Sequence, residues 1–252
     1  MTQQEALFQY CLRLGDNALI LGHRLSEWTS FAPILEEDLA LSNIALDLLG
    51  QANGFLAYAG TVEGKGRDQD ALAYKRAERN FVNALITELP NGDFGYTIVR
   101  QFLYSNFSLL LYTELCNSKD ETIAALAAKS LKEVKYHVRH SNDWMLRLGD
   151  GTTESHNRVQ KSLNDIWMFT NDMFAMDESD EMLIKSGIAV DLNALRTKWI
   201  DAVTKVIADA TLEKPADAYM QSGSKKGVHT EYLGFALAEM QYLPRAYPDA
   251  KW

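Results

Sequence analysis

Cysteine is nearly absent. Cys11 and Cys116 are the only two in 252 residues, too few for a disulfide framework or a cysteine zinc cluster. A reducing compartment is the simplest expectation, and the cytoplasm with it. Proline is scarce too, at five residues, so little interrupts long helices. No apolar run approaches the roughly 18 residues that a membrane helix needs. The opening MTQQEALFQY has no basic segment followed by an apolar core, so no signal peptide is expected. Positive charge is in deficit: 25 basic against 34 acidic residues give a net charge of −9. That disfavours nucleic acid and anionic membranes as partners, because both select a basic face.

What is present is helical periodicity. The pattern predicts a helix over about 3–30, then a second that starts near Pro33 and runs to about Glu63. EGKGRDQD (63–70) reads as a loop, about 71–89 as a third helix, and PNGD (90–93) as its end. A fourth helix is predicted over about 96–117. Ser118 and Glu121 have capping-box spacing before a fifth, about 121–148, which GDG (149–151) stops. Further helices are predicted at 154–174, 192–213 and 230–246, with GSKKG (223–227) as a loop. Helices one and two are tightly joined, as are four and five, and a crossover links the pairs. That is the plan of an all-α, ferritin-like four-helix bundle with additional C-terminal helices, expected as one domain over 1–252.

Such bundles often hold two irons through a carboxylate from each of two helices and Glu-x-x-His from each of the others. Residues three apart share a helix face, so both groups of that motif reach the axis. In SLKEVKYHVRH (130–140), His137 lies on the predicted inner stripe of Ala127, Leu131, Val134, Val138, Ser141 and Met145. The position three residues before it is Val134; Glu133 is rotated about 100° to the flank, with His140. In the second helix, Leu48 and Gln51 have the same three-residue spacing, and Asp47 is one position off the inner face.

Four stretches carry a resemblance over essentially the whole chain. GDNALILGHRLSEW (15–28), FAPILEEDLALSNIALDLLGQA (31–52), LKEVKYHVRHSNDWMLRLGDG (131–151) and GSKKGVHTEYLGFALAEMQYL (223–243) resemble the non-catalytic, ferritin-like C subunits of bacterial ring-1,2-phenylacetyl-CoA epoxidases, the phenylacetate degradation oxygenases. The catalytic di-iron subunit of those complexes has the same fold. Its second helix reads Asp-Glu-x-Gly-His and its fifth Lys-Glu-Glu-x-x-His. The counterparts here are Asp47-Leu48-Leu49-Gly50-Gln51 and Lys132-Glu133-Val134-Lys135-Tyr136-His137. Leu48, Gln51 and Val134 thus replace three ligands, and only His137 remains. The first-helix carboxylate falls near Asn17, beside Asp16, and the fourth-helix one near Ser105–Asn106.

The resemblance implies a structural subunit of a monooxygenase complex in phenylacetate catabolism. It implies no catalytic residue and no metal in this chain, with di-iron on a homologous catalytic partner and electrons from a reductase subunit. Asn17, Leu48, Gln51, Val134 and His137 are the vestigial metal-site positions. Asp16, Asp47, Glu133 and His137 are expected to form a polar network in place of metal. In the 223–231 stretch, Lys225, Lys226 and His229 near a helix start are candidates for a CoA phosphate or partner contact. His23 and Glu27 read as an i, i+4 ion pair and His156 as solvated. The rival readings are an active di-iron oxidase with shifted ligands and a stand-alone acyl-CoA binding protein.

Overall fold

A computed structural model describes residues 1–250. Ten α-helices follow in chain order: α1 (Gln3–Ser26), α2 (Leu35–Glu63), α3 (Gln69–Tyr74), α4 (Leu85–Glu88), α5 (Phe94–Leu115), α6 (Glu121–Gly149), α7 (Thr153–Trp167), α8 (Glu178–Ser186), α9 (Leu192–Asp209) and α10 (Glu231–Ala246). There is no strand among the described residues. The fold is all-α, consistent with a ferritin-like helical bundle. Among the described residues no helix is long and apolar enough to cross a membrane. The chain divides into two compact units. The first comprises Met1–Pro90, Asp177–Lys185 and the described residues from Gly223 on; the second comprises Asn91–Met176 and Ser186–Ser222.

The first unit is built on the α1–α2 hairpin. Thr2 and Glu5 form a capping box that starts α1, and Gly64, in the left-handed conformation, ends α2. Gln4 donates to the Val62 carbonyl at 2.6 Å, and Thr29 meets Ser42 at 3.2 Å, so the helices run antiparallel. They approach closely because Gly15 and Gly22 face the partner helix. A Cβ on Gly15 would stand 2.7 Å from the Leu56 side chain, and one on Gly22 would stand 3.2 Å from Leu49.

The predicted third helix over 71–89 breaks instead into α3, a single 3₁₀ turn at Glu78–Asn80, and α4. The reason lies on α1. Asp16 takes both terminal nitrogens of Arg76 and the Val82 amide, and Asn17 takes the Ala84 amide at 2.6 Å. Backbone donors held by these side chains are lost to a helical ladder.

The second unit is built on the α5–α6 hairpin, where Asn106 donates to Asn142 across the pair at 3.0 Å. Asp120, not Ser118, caps α6 by accepting from the Ile123 amide. Ser118 instead donates to the Ile188 carbonyl. The buried stripe of α6 passes through Ile123, Ala127, Ser130, Val134, His137, Ser141 and Met145; Leu131 and Val138, expected inside, are only half-buried. Trp167 stacks on Trp199 at 5.7 Å, and Phe174 packs against both Trp199 and Phe107 at 5.3 Å. The Trp199 indole N–H reaches the Leu103 carbonyl at 3.0 Å, so this aromatic core leaves that donor satisfied. The predicted 154–174 helix stops at Trp167 and continues as a 3₁₀ turn over Thr170–Phe174. His156 is half-buried, its Nδ1 at 2.8 Å from the Gly149 carbonyl, rather than solvated.

Candidate functional site

In the first unit, α2 turns Leu48 and Gln51 inward, 3% and 5% exposed, while Asp47 stays half-buried. Asn17, on α1, is half-buried and its amide oxygen is occupied by the Ala84 N–H. Asp16 is fully buried and held by Arg76, itself 3% exposed at the side chain. Arg76 further donates to the carbonyls of Leu72 and Asn80 and lies over the Phe81 ring at 4.1 Å. The Asp16 carboxylate therefore serves to hold the 75–84 segment onto α1.

In the second unit, Val134 and His137 are 1% and 2% exposed on one face of α6, and Glu133 is half-buried on its flank. The Ser141 hydroxyl donates to the His137 carbonyl at 2.8 Å, and the Tyr136 ring lies edge-on to the imidazole. On α5, Ser105 and Asn106 are buried. The Asn106 amide donates to Phe102 and Asn142.

The 223–229 loop departs from its reading as a phosphate cradle. Lys226 is exposed, but Lys225 turns inward and donates to Asp180 at 2.6 Å. Asp180 also meets Arg13 at 2.8 Å, and Arg13 pairs with Asp177. The result is a neutral quartet of two cations and two anions that joins α1, the start of α8 and the loop. The His229 side chain is 1% exposed, with Nδ1 at 2.8 Å from Glu88 and Nε2 at 2.8 Å from the Phe81 carbonyl. That carbonyl can only accept, so Nε2 donates. Glu88, fully buried, also accepts from the Asn83 amide and the Thr230 backbone N–H. Lysine and imidazole are consumed by internal partners.

The quartet gives a pH expectation. Burial pushes the Asp177 carboxyl upward, but the Ser179 hydrogen bond and the charges of Arg13 and Lys225 outweigh it and hold it down to about 2. A carboxylate depressed on folding stabilises the chain above its unfolded value, and that contribution is lost as pH falls towards the folded one. Asp177→Asn should therefore flatten the decline of thermal stability in the acid window between the unfolded carboxylate range and about 2. Melting curves across that window measure it; an unchanged slope would show that Asp177 does not contribute. Burial, then the nearby Arg13 charge, lower the Lys225 pKa against the pull of Asp180 and Asp177.

A family model described as phenylacetic acid catabolic protein matches residues 1–252. The chain belongs to this family. It is 49% identical over 246 residues to the C subunit of the 1,2-phenylacetyl-CoA epoxidase of Escherichia coli (strain K12), covering 98% of this chain and 99% of that protein. The four stretches from α1, α2, α6 and the 223–243 region were thus a sound guide to the family and to a part in phenylacetate catabolism.

In this chain the residues at the implied ligand positions do not fit a di-iron centre of the bundle type. Leu48 and Val134, at the positions for which the resemblance implies carboxylates, are buried and carry no donor atom. Asn17 and Asn106 are neutral amides already bonded within the protein. Asp16 is neutralised by Arg76. Among the described residues, no three His, Cys, Asp or Glu side chains gather as metal ligands would.

Proposed function

We propose that this chain is a structural, metal-free subunit of a multicomponent phenylacetyl-CoA epoxidase. It acts in the cytoplasm and stabilises a homologous di-iron catalytic subunit. The observation that carries the reading is the burial of Leu48 and Val134 at the ligand positions implied by the resemblance. On this reading the di-iron centre that would supply oxygen activation and the reductase that would supply electrons both belong to other subunits, and no residue of this chain would touch the reacting atoms. The shifted-ligand alternative loses Asp16 to Arg76. The stand-alone acyl-CoA alternative loses Lys225 and His229 to internal partners.

The surface offers a face for such a partner. Phe31, Leu35, Leu39 and Leu46 are 77%, 71%, 56% and 65% exposed along the outer side of α2 and the turn before it. Leu35, Leu39 and Leu46 are spaced four and seven apart, which puts them on one helical stripe. These exposed apolar side chains, interrupted only by Ser42 and Asn43 between Leu39 and Leu46, support an association surface, and the catalytic subunit is the occupant this reading assigns to it. Leu39→Glu combined with Leu46→Glu should leave the melting temperature within a few degrees, since neither side chain is buried, yet weaken co-purification with the catalytic subunit at least tenfold. Undiminished co-purification would move the interface elsewhere. Loss of activity on omission of this chain from the reconstituted complex tests the function itself.

A further inference from the structure

One exposed face of the second unit is charged against the sign of the chain. From Lys129 to Arg139, α6 holds four cations, Lys129, Lys132, Lys135 and Arg139, and one acid, Glu133. That stretch is net +3, so the rest of a chain at −9 amounts to −12. The four cations are exposed, and Glu133 is half-buried on the flank. At about 100° per residue, the cations and Tyr136 fall within roughly 120° of arc, in a row about 15 Å long on the outside of the helix. Asp143 and Arg147, both exposed, continue that face and balance each other in charge.

These cations lack what other surface cations of the chain have. Arg158 pairs with Glu154 and Asp93, Lys161 with Asp165, Lys198 with Glu114 and Arg67 with Glu63. Among the described residues, the side chains of Lys129, Lys132 and Lys135 make no ion pair or hydrogen bond. Arg139 has the Tyr136 ring, at 5.5 Å, and no carboxylate. Lys129 with Lys132, Lys132 with Lys135, and Lys135 with Arg139 are three or four residues apart, the spacing at which like charges repel on a helix. Nothing within the chain offsets that repulsion, and carboxylates brought from outside would.

We propose that this face of α6 docks a protein partner through a carboxylate-rich surface. A small anion is disfavoured, because a row along the outside of a helix has no concave wall to bury it. A nucleic acid is disfavoured, because its charge runs on past the row and meets the −12 of the rest of the chain. A protein surface can be acidic over this length alone. Tyr136 and Arg139 are of the residue types that anchor protein interfaces. Tyr136 and Leu146, the large apolar side chains on this face, are only 38% and 37% exposed. The contact is therefore polar and electrostatically steered, of the kind that weakens with salt. The proposal does not depend on the metal-free subunit reading, and α6 lies in a different unit from the apolar side chains of α2.

The test uses the full chain and a fluorescein-labelled decaglutamate peptide, followed by fluorescence anisotropy at low salt. The variant combines Lys132→Glu, Lys135→Glu and Arg139→Glu. The control combines Arg158→Glu, Lys161→Glu and Lys198→Glu, which makes the same change in net charge at exposed cations elsewhere. Neither set touches a buried side chain, so both should fold as the parent does, which melting curves check. The α6 variant should bind the peptide at least about tenfold more weakly than the parent, as the loss of three exposed ion pairs implies. The control should stay within about threefold of the parent, since its charges act from a distance and are screened. Equal weakening in the two variants would overturn the proposal, because only overall charge would then matter. So would a parent chain that does not bind the peptide, or one that binds coenzyme A or decathymidylate more tightly than the peptide. The comparison of the three anions on the parent chain does not require a variant to fold.

Discussion

Asp16→Ala is expected to destabilise the chain by about 3–5 kcal/mol, the usual cost of removing one partner from a buried ion pair. At this chain length that corresponds to a melting temperature lower by roughly 10 °C. Asp16 has no solvent exposure, and Arg76 has almost none. Truncation leaves the Arg76 guanidinium with the carbonyls of Leu72 and Asn80 and the Phe81 ring, but without the carboxylate that balances its charge. It also strands the Val82 amide. The loss should be local first: amide exchange should accelerate in 75–84, because that segment has exchanged its helical ladder for bonds to α1. Asp16→Asn, which keeps acceptor capacity, should cost less. A loss under about 1 kcal/mol for the alanine variant would mean that the segment is held by its apolar contacts alone.

The second large effect is expected at Asp180. Its side chain is 1% exposed and is shared by Arg13 and Lys225, 8% and 13% exposed. Asp180→Ala leaves two buried cations facing Asp177, which is 38% exposed and correspondingly screened. The cost should again be about 3–5 kcal/mol. It should fall on a different region. The quartet fastens the 223–227 loop, so hydrogen exchange should rise from Gly223 through α10. Asp180→Ala combined with Lys225→Met removes one surplus cation and should recover part of the loss, a coupling that a double-mutant cycle reads directly. Equal stability of Asp180→Ala and the parent chain would dismiss the quartet as a stabilising feature.

The contrast between these two sites and the hairpins shows what the sequence made legible. Helices α1, α2, α5 and α6 were readable because each runs more than twenty residues with an apolar stripe, and short joins pair them. That Leu48 and Gln51, like Val134 and His137, share one buried face of their helix was readable because a three-residue spacing fixes a common face without any tertiary knowledge. The broken third helix was not. Residues 75–84 have no strong breaker, and what unwinds them is a carboxylate and an amide about sixty residues earlier. Helix α8 was missed because its short run, ESDEMLIKS, is mostly polar and rich in charge, and the Asp177 that precedes it is tied to Arg13 on α1, 164 residues away. Lys225 misled for a related reason: a lysine between glycines looks solvated until a buried aspartate is placed beside it. His23 misled through its neighbour, because Arg24 claims the carboxylate that i, i+4 spacing had assigned to the histidine.

Of the network expected in place of metal, Asp16 is engaged by Arg76. Asp47, Glu133 and His137 occupy flank, flank and inner positions on their helices.

The measurement that bears most directly on the central claim is the iron content of the full chain, purified alone after expression in iron-supplemented medium, by elemental analysis. The account predicts far less than one iron per chain, and the same after incubation with ferrous salt under anaerobic conditions. It further predicts that iron appears in stoichiometric amount when the catalytic subunit is present. Iron near two per chain in the isolated protein would contradict the account and require ligands other than the buried Leu48 and Val134 positions.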